Sequence, residues 1–308
     1  MRLIDDNVID FSEYMQAPPD AAKIKSAASW ADDVVQRYHN PGNAHNNGCL
    51  LPWSVTHSTI ALRSGEVSLW SGVNGHGKSQ LLGQVMLWVA AQDERICIAS
   101  MEMKPVATLA RMVRQASTVS VPSEPYIRSF LEWADEKIWL YDQQGTVKSD
   151  RILAVARYCH KELGITHFVI DSLMKCGIAV DDYNRQKAFL DELTSLARDT
   201  GMHIHLVAHS RKGENEKSPP GKMDVKGASE ITDQVDNVFT VWRNKLKEGE
   251  AQKPRPSAEI MDQPDALLIC DKQRHGEWEG RVALWFDSDS FQYVAHHSAR
   301  PQSLRIGE

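Results

Sequence analysis

The 308-residue sequence contains no apolar run approaching the roughly 18 residues that a membrane-spanning helix needs. Its first residues, MRLIDD, also lack the apolar stretch of a signal peptide. These two absences predict a cytoplasmic protein without a membrane anchor.

Cysteine pairs of the Cys-x-x-Cys type are absent as well. The cysteines are scattered and odd in number, namely Cys49, Cys97, Cys159, Cys176 and Cys270. This spacing argues against a disulfide framework and against structural zinc. It predicts that most of these side chains are buried in the core.

An excess of positive charge is also lacking. The formal net charge of −6 argues against a protein that coats nucleic acid over its whole surface, although local basic loops remain compatible with it. A hydrophobic content of 42% is ample for the core of one large domain or two small ones.

The most specific pattern that is present lies at residues 72–80, which read GVNGHGKSQ. An apolar stretch at residues 66–71 precedes it and apolar residues at helical spacing follow it, so a strand and a helix are expected to flank a phosphate-binding loop. Backbone N–H groups and the dipole at the start of that helix would face the phosphates of a nucleoside triphosphate. The predicted nucleotide-binding residues are Gly72, Val73, Asn74, Gly75, His76, Gly77, Lys78, Ser79 and Gln80.

Two residues of this loop have specific expected roles. Lys78 would neutralise the β and γ phosphates, and the hydroxyl of Ser79 would bind Mg²⁺. A histidine at position 76 is unusual inside such a loop, so the choice between ATP and another nucleoside triphosphate stays open.

Strand and helix patterns alternate along the middle of the chain, which predicts a parallel sheet covered by helices on both faces. Strands are expected at residues 66–71, 95–100, 167–170 and 204–208, and helices at 105–116, 150–163 and 185–200, with a further helix and short strand within 125–141. The tail differs, because the strand patterns at 237–242, 266–270, 281–286 and 291–294 follow one another closely and predict an antiparallel extension. Residues 245–264, with three prolines and mixed charge, predict an exposed insertion.

Residues 20–38 show an amphipathic helical pattern, and a polar stretch that is typical of a linker follows it. This helix could dock on another molecule or pack on its own domain. We expect an N-terminal segment at residues 1–48, a catalytic domain at 49–296 and a C-terminal tail at 297–308.

Three polar side chains follow predicted strands, and the carboxyl ends of parallel strands meet at one edge of a sheet. Asp171 is expected to hold Mg²⁺, and Glu102 to orient the water that attacks the γ phosphate. His209 could touch the γ phosphate and report its loss to the loop that follows. The alternatives are a helix-capping role for Asp171 and structural roles for the other two.

The segment directly after His209, residues 211–222, combines cations with a backbone rich in glycine and proline. Such cations can make sequence-independent contacts with the phosphates of a nucleic acid. The alternative is a solvated loop, because two glutamates dilute its charge. Including a second candidate loop just beyond Asp171, the predicted nucleic-acid-binding residues are Lys175, Arg211, Lys212, Lys217 and Lys222.

The order of these motifs resembles the helicase domain of the ring-shaped replicative DNA helicases of the DnaB family, in particular the branch of phage primase-helicases and mitochondrial Twinkle. The resemblance runs from about residue 50 to residue 294. It rests on the phosphate loop, on residues 100–103 (SMEM), on the strand that ends at Asp171, and on residues 209–212 (HSRK), 224–237 and 271–276 (DKQRHG).

The resemblance implies a RecA-like P-loop core, a hexameric ring with ATP and Mg²⁺ at the subunit boundaries, and single-stranded DNA in the channel. It assigns Glu102 as the catalytic base, Asp171 as the magnesium acid and His209 as the phosphate sensor. Lys272 and Arg274 resemble the pair that a neighbouring subunit inserts against the γ phosphate, and a planar guanidinium suits such a contact. Arg243 resembles a residue that lies near the nucleotide base.

The segment before residue 48 departs from the family, because it is too short for a primase domain, which would therefore be a separate protein if one takes part. Residues 20–38 instead match the family's linker helix, which packs on the adjacent subunit. We expect an ATP-dependent replicative DNA helicase moving 5′ to 3′. Two other functions fit the motifs: a recombination-type RecA-like ATPase, and an ATP-switched loader or scaffold that barely hydrolyses ATP.

Overall fold

The computed structural model describes residues 3–4, 9–15, 26–32, 34–35, 48–179, 181–210, 219, 230–304 and 306. A ten-stranded sheet lies at its centre, with the strand order β1-β6-β5-β7-β8-β4-β9-β10-β11-β12. These strands are β1 (Leu3–Ile4), β4 (Val67–Ser71), β5 (Ile96–Ser100), β6 (Ile138–Tyr141), β7 (His167–Asp171), β8 (His203–Val207), β9 (Asn237–Arg243), β10 (Ala266–Gln273), β11 (Gly280–Asp287) and β12 (Gln292–Val294). Strands β2 (Gly48–Cys49) and β3 (Leu62–Arg63) form a separate antiparallel pair.

Helices connect the strands of this sheet. They are α1 (Lys78–Ala90), α2 (Pro105–Ser117), α3 (Glu124–Ala134), α4 (Ser149–Leu163), α5 (Tyr183–Thr200), α6 (Glu230–Gln234), α7 (Lys245–Ala251) and α8 (Ala258–Met261). Local signals fix several ends: Ser123 and Asp182 cap α3 and α5 through their side chains, and Gly164 and Gly201 end α4 and α5 in the left-handed conformation.

The sheet is parallel from β1 to β9 and antiparallel from β9 to β12. The predicted α/β fold with an antiparallel C-terminal extension is confirmed. Strand β9 forms the boundary between the two parts, because it is parallel to β4 and antiparallel to β10. Since β4 has β8 on its other side, pairing with β9 satisfies its remaining backbone groups.

Two hydrophobic cores lie on the two faces of the sheet. Neighbouring residues of one strand alternate between them: Cys97 and Ala99 belong to the core beneath α4 and α5, whereas Ile96 and Ile98 belong to the core beneath α1, α2 and α3. Because both faces are covered, the central strands are apolar almost throughout. All five cysteines are buried and unpaired by disulfides, as expected.

The N-terminal segment packs partly on its own domain. β1 pairs with β6 and forms one edge of the sheet, and Phe11 is buried, with Tyr158 at 5.4 Å between ring centroids. In contrast, the side chains of residues 26–29, 31, 32, 34 and 35 are exposed, and residues 27–32 and 34–35 are helical. The predicted helix at 20–38 therefore falls only partly within the described residues.

The stretch predicted as an exposed insertion, residues 245–264, is largely exposed but contains α7 and α8, which the prolines and charges did not indicate. Lys247 explains part of this order, because its ammonium group donates a hydrogen bond to the carbonyl of Gln263 and forms an ion pair with Asp265 at 2.9 Å. Among the described residues, no helix has both the length and the apolar character needed to cross a bilayer.

Candidate nucleotide-binding site

The phosphate loop connects the end of β4 to the start of α1, at the carboxyl edge of the parallel strands. Two of its glycines are required by close contacts and by positive φ angles. A Cβ atom on Gly72 (φ +149°) would collide with the carbonyl oxygen of Val241, and one on Gly77 (φ +83°) would lie 2.5 Å from the hydroxyl of Tyr293. Gly75 faces open space and Asn74 is exposed, so the outer side of the loop is accessible to a ligand.

Lys78 is buried and folds back over the loop. Its Nζ donates hydrogen bonds to the carbonyl oxygens of Gly72 at 2.9 Å and Val73 at 3.2 Å. The ammonium group therefore lies within the loop whose backbone amides would bind phosphate. This arrangement can neutralise an anion there.

Ser79 and Asp171 meet at the first turn of α1. The Ser79 hydroxyl donates to Oδ2 of Asp171 at 2.6 Å, although the two residues are 92 positions apart. Burial raises the pKa of Asp171, and the hydrogen bond from Ser79 and the charges of Lys78 and Arg111 oppose that rise. A hydroxyl and a carboxylate in contact offer the oxygen ligands that Mg²⁺ prefers when phosphates and water complete its shell, so this pair fits the ion.

Glu102 lies beside Ser172 and His209 at the same edge. Ser172 donates a hydrogen bond to Oε1 of Glu102 at 3.1 Å, and Nε2 of His209 is 3.7 Å from the same oxygen. His209 is almost fully buried, whereas the side chain of Glu102 is 39% exposed and can contact water. Three predicted residues from the ends of separate strands are therefore close together in the fold, namely Glu102, His209 and Asp171, which directly precedes Ser172.

Two further residues at this site were missed by the sequence reasoning. Arg111, on α2, lines a small cavity of about 30 Å³ together with Ser79 and Asp171, and burial lowers its pKa. Tyr293, on β12, abuts Gly77, and burial raises its pKa to about 12. Arg111 could have been found from its position in the helix that directly follows the SMEM motif. Nothing in the sequence linked Tyr293 to the phosphate loop.

The other predicted nucleotide-binding side chains are held by the C-terminal extension. The amide of Gln80 donates to the carbonyl of Phe291 at 3.2 Å. His76 is fully buried, and its Nδ1 accepts a hydrogen bond from the backbone N–H of Arg243 at 3.2 Å. Arg243 forms an ion pair with Glu248, and its side chain is 40% exposed at the rim of the loop.

Lys272 and Arg274 lie at the opposite edge of the sheet from the phosphate loop of their own chain. Lys272 donates to the carbonyls of Thr232, Asp233 and Val235 at 2.8–2.9 Å, and Arg274 donates to those of Asp233 and Gln234 at 3.1 Å. Both cations therefore cap the C-terminal end of α6, where such charges are stabilising.

The pairing register gives the separation from the loop. Gln273 pairs with Asn237 at the start of β9, whereas Arg243 ends that strand beside the loop. At about 3.3 Å per residue, Arg274 is roughly 20 Å from the phosphate loop of the same chain.

Four of the predicted DNA-binding residues, Arg211, Lys212, Lys217 and Lys222, lie outside the described residues. Lys175 is described: it ends a short 3-10 helix, Leu173–Lys175, three residues after Ser172, and it is half-buried. Lys175 is therefore close in sequence to Ser172, which donates a hydrogen bond to Glu102.

Known proteins resemble this chain over most of its length. A family model described as "DnaB-like helicase C terminal domain" matches residues 54–295. The solved structure of a single ATPase domain matches with a TM-score of 0.70 at 15% identity, over 87% of this chain and 99% of that one. A second, "The Structure Of A DnaB-Like Replicative Helicase And Its Interactions With Primase", matches with a TM-score of 0.68 at 15% identity, over 88% and 67%. At this identity the structural matches establish the RecA-like helicase ATPase fold.

Proposed function

Because the chain belongs to the DnaB-like helicase C-terminal domain family, we propose that it is an ATP-driven replicative helicase that moves along single-stranded DNA as a ring of identical copies. The observation that carries the proposal is the separation of charged groups between the two edges of the sheet. Lys78, Ser79, Asp171 and Glu102 meet at one edge, whereas Arg274 lies at the other. Arg274 is too far from its own phosphate loop to contact it. Its side chain pairs with Asp236 at 3.3 Å but is 36% exposed, and in this proposal it serves the loop of a neighbouring copy.

In this proposal the chain's own residues bind and orient the triphosphate. Lys78 and the loop amides hold the phosphates, and Ser79 with Asp171 holds Mg²⁺, which supplies further positive charge when bound. Glu102 orients the attacking water, and Ser172 fixes its carboxylate through the 3.1 Å hydrogen bond. Arg274 of the neighbouring copy stabilises charge on the γ phosphate.

His209 links hydrolysis to DNA in this proposal. It lies 3.7 Å from Glu102 and only two residues before Arg211, the first of the predicted DNA-binding cations. A change at the γ phosphate would therefore be transmitted along a very short stretch of chain. Lys175, just beyond Ser172, would contribute to a second DNA contact.

An apolar groove supports assembly into a ring. It lies between α2 and α3, has a volume of about 770 Å³, and contains Val106 and Val121, which are 78% and 84% exposed. The exposed Val34 and Val35 of the N-terminal segment offer an apolar surface of the matching kind. We assign the groove to the predicted helix at residues 20–38 of an adjacent copy. In this proposal the 1–48 segment serves assembly, and the 49–296 domain carries the nucleotide-binding residues.

The central test is strand separation on a forked duplex with ATP and Mg²⁺. Wild-type protein should unwind the fork and hydrolyse ATP faster when single-stranded DNA is present, and Lys78→Ala should abolish both activities. Arg255→Ala, which changes an exposed cation of the insertion, is the control. Full unwinding by Lys78→Ala would refute the mechanism. Filaments that exchange strands would favour a recombination ATPase, and turnover indifferent to DNA would favour a loader or scaffold.

A mixing experiment tests whether the site is shared between copies. Arg274→Ala and Glu102→Gln should each be inactive alone, because each removes one half of every site. When the two proteins are mixed, some boundaries should combine an intact Glu102 with an intact Arg274, and hydrolysis should partly return. If mixing restores nothing while both variants assemble normally, the site does not use Arg274 from a second copy.

A further inference from the structure

The antiparallel extension holds the phosphate loop at three points. The carbonyl of Val241 lies against Gly72, the hydroxyl of Tyr293 lies against Gly77, and the backbone N–H of Arg243 donates to His76. The first two contacts are steric. The third is a hydrogen bond from a strand to the side chain of an otherwise unusual loop residue, so it depends on the identity of residue 76.

His76 is well suited to receive this bond. Its side chain is fully buried, and its own backbone N–H donates to the carbonyl of Val73 at 3.2 Å, which closes the turn of the loop. Nδ1 must present a lone pair to the N–H of Arg243, because that N–H can only donate. One residue therefore joins the turn of the phosphate loop to the last residue of β9.

The far side of this link is also fixed. The backbone N–H of Asn244 donates to Asp265 at 2.8 Å, and the side chain of Asn244 donates to Gln263 and Pro264. The guanidinium of Arg243 is paired with Glu248 on α7 and is 40% exposed at the rim of the loop. The direction of this guanidinium consequently depends on a strand end that is hydrogen-bonded to the loop through His76.

We propose that His76 is a positioning residue that couples the phosphate end of the bound nucleotide to its base end through Arg243. The inference rests on the proposed function, because it takes the ligand to be ATP. Phosphate binding orders the loop, His76 transmits that order to the backbone of Arg243, and the guanidinium is thereby held where it contacts the base or sugar. An aliphatic side chain at position 76 would fill the same space without accepting the bond.

The test compares two probes, Mg-ATP and inorganic tripolyphosphate, by equilibrium binding to the full chain. The variants are His76→Leu, His76→Asn, Arg243→Ala and the double variant His76→Leu/Arg243→Ala. Asn is the conservative replacement, because its amide oxygen lies close to the position of Nδ1. Arg243→Ala keeps the backbone N–H and removes only the guanidinium, so the bond to His76 persists while the group that it orients is absent.

We expect His76→Leu to weaken ATP binding roughly 10-fold, which corresponds to about 1.4 kcal/mol, and His76→Asn to restore most of it. The same substitution should weaken ATP binding no more than about 2-fold when Arg243 is already Ala, because coupled sites are not additive. Tripolyphosphate, which lacks a base, should lose no more than about 2-fold in either background. In hydrolysis assays His76→Leu should raise KM more than it lowers kcat.

Equal losses for both probes, or an equal effect of His76→Leu in both backgrounds, would overturn the coupling and leave His76 as a local packing residue. If His76→Leu does not fold, His76→Asn against His76→Gln gives the same comparison, since the glutamine oxygen lies farther out along the ring position. Failure of the proposed function is distinguishable, because then wild-type protein would not unwind DNA, whereas failure of this inference leaves wild-type unwinding intact.

Discussion

The two ends of the neighbouring strands β7 and β8 carry polar residues of very different character. At the amino half lie His167, His203 and His205, which are fully or almost fully buried. At the carboxyl end lie Asp171 and His209, beside the phosphate loop. The three buried histidines satisfy their hydrogen bonds inside the protein, whereas the residues at the carboxyl end lie beside a loop that is expected to bind a ligand.

The hydrogen bonds of the histidine cluster determine where its protons are. The indole N–H of Trp70 donates to Nδ1 of His205 at 3.1 Å, so the proton of neutral His205 is on Nε2 and points to Nδ1 of His167, also at 3.1 Å. The proton of His167 then lies on Nε2, which faces the sulfur of Cys49 at 3.5 Å. Each ring nitrogen of these two residues has a partner only when both rings are neutral.

His203 completes the cluster in the same way. Its Nδ1 donates to the carbonyl of Arg63 at 2.6 Å, and its Nε2 therefore accepts from the hydroxyl of Ser68 at 2.8 Å. Its ring lies 4.5 Å from that of His205 between centroids. The cluster is thus satisfied internally, and its role is structural.

The carboxyl-end cluster is organised differently, because it brings carboxylates and cations together at an edge that is partly open to solvent. Burial raises the pKa of Asp171, which means that its ionised form is disfavoured in the free chain. The carboxylate of Glu102 remains 39% exposed beside it. Residue type alone therefore does not reveal function: the histidines in the amino half of these strands are structural here, and the functional candidates lie at the carboxyl ends.

The largest expected effect comes from acidifying the histidine cluster. Burial lowers the pKa of His203 to about 4 and those of His167 and His205 well below 6.5. The folded state thus binds fewer protons than the unfolded chain, so stability is complete above pH 6.5 and is lost as the pH falls from there towards 4. At about 1.4 kcal/mol per pH unit, His203 alone should cost roughly 2 kcal/mol at pH 5, and His167 and His205 should add to that loss.

Denaturant unfolding at pH 7.5 and pH 5 measures this loss. Burial also raises the pKa of Glu66, whose protonation acts in the opposite sense and offsets a part of it. His203→Asn should reduce the pH dependence by the contribution of His203. Equal free energies of unfolding at the two pH values would show that the cluster does not stay neutral as the bonding pattern requires.

The next largest effect should be a loss of catalysis at the carboxyl end. Glu102→Gln keeps the shape of the side chain but removes the carboxylate, and we expect hydrolysis to fall by about 10²–10⁴-fold, the usual contribution of a general base. Nucleotide binding should change little, because Lys78 and the loop remain. Single-turnover hydrolysis with separate binding measurements checks this, with the exposed Glu136 changed to Gln as the control.

Two serines sharpen the comparison directly. Ser68→Ala removes the donor to His203 and should destabilise the fold by about 1–3 kcal/mol, because a buried acceptor is left unsatisfied. Ser172→Ala removes the donor to Glu102, which can still bind water, so stability should change by less than about 0.5 kcal/mol while turnover falls several-fold. Unfolding and hydrolysis should be measured on both variants. The expectation would be contradicted if Ser68→Ala mainly lowered turnover and Ser172→Ala mainly lowered stability.

The smallest effect is a gain in stability. Asp171→Asn replaces a carboxylate whose ionised form is disfavoured by burial, so the free chain should become slightly more stable, with a small rise in Tm. The same variant should lose the additional stabilisation that Mg-ATP gives to wild-type protein. Thermal unfolding with and without Mg-ATP tests both statements, and a lower Tm for the free variant would contradict the first.

Much of the site could be predicted from the sequence because its residues sit at the ends of recognisable elements. The strand predicted at 167–170 is β7, His167–Asp171, and the one at 204–208 is β8, shifted by one residue. The pairing of β9 with β4 could not be predicted, because a strand's hydrophobic pattern does not name its partner. The contacts of Arg243 and Tyr293 with the phosphate loop were missed for a similar reason, because they join positions up to 216 residues apart in sequence.

The sequence by itself determined the local elements, the phosphate loop and the polar residues that end the strands, because these depend on neighbouring residues and on the period of the side chains. The tertiary structure alone decided which strands are adjacent, that His167 of β7 joins His203 and His205 of β8 in one cluster, and that Arg274 lies at the far edge from its own phosphate loop. Those outcomes follow from the satisfaction of buried backbone and side-chain groups, and the partners in such contacts come from parts of the chain that are far apart in sequence.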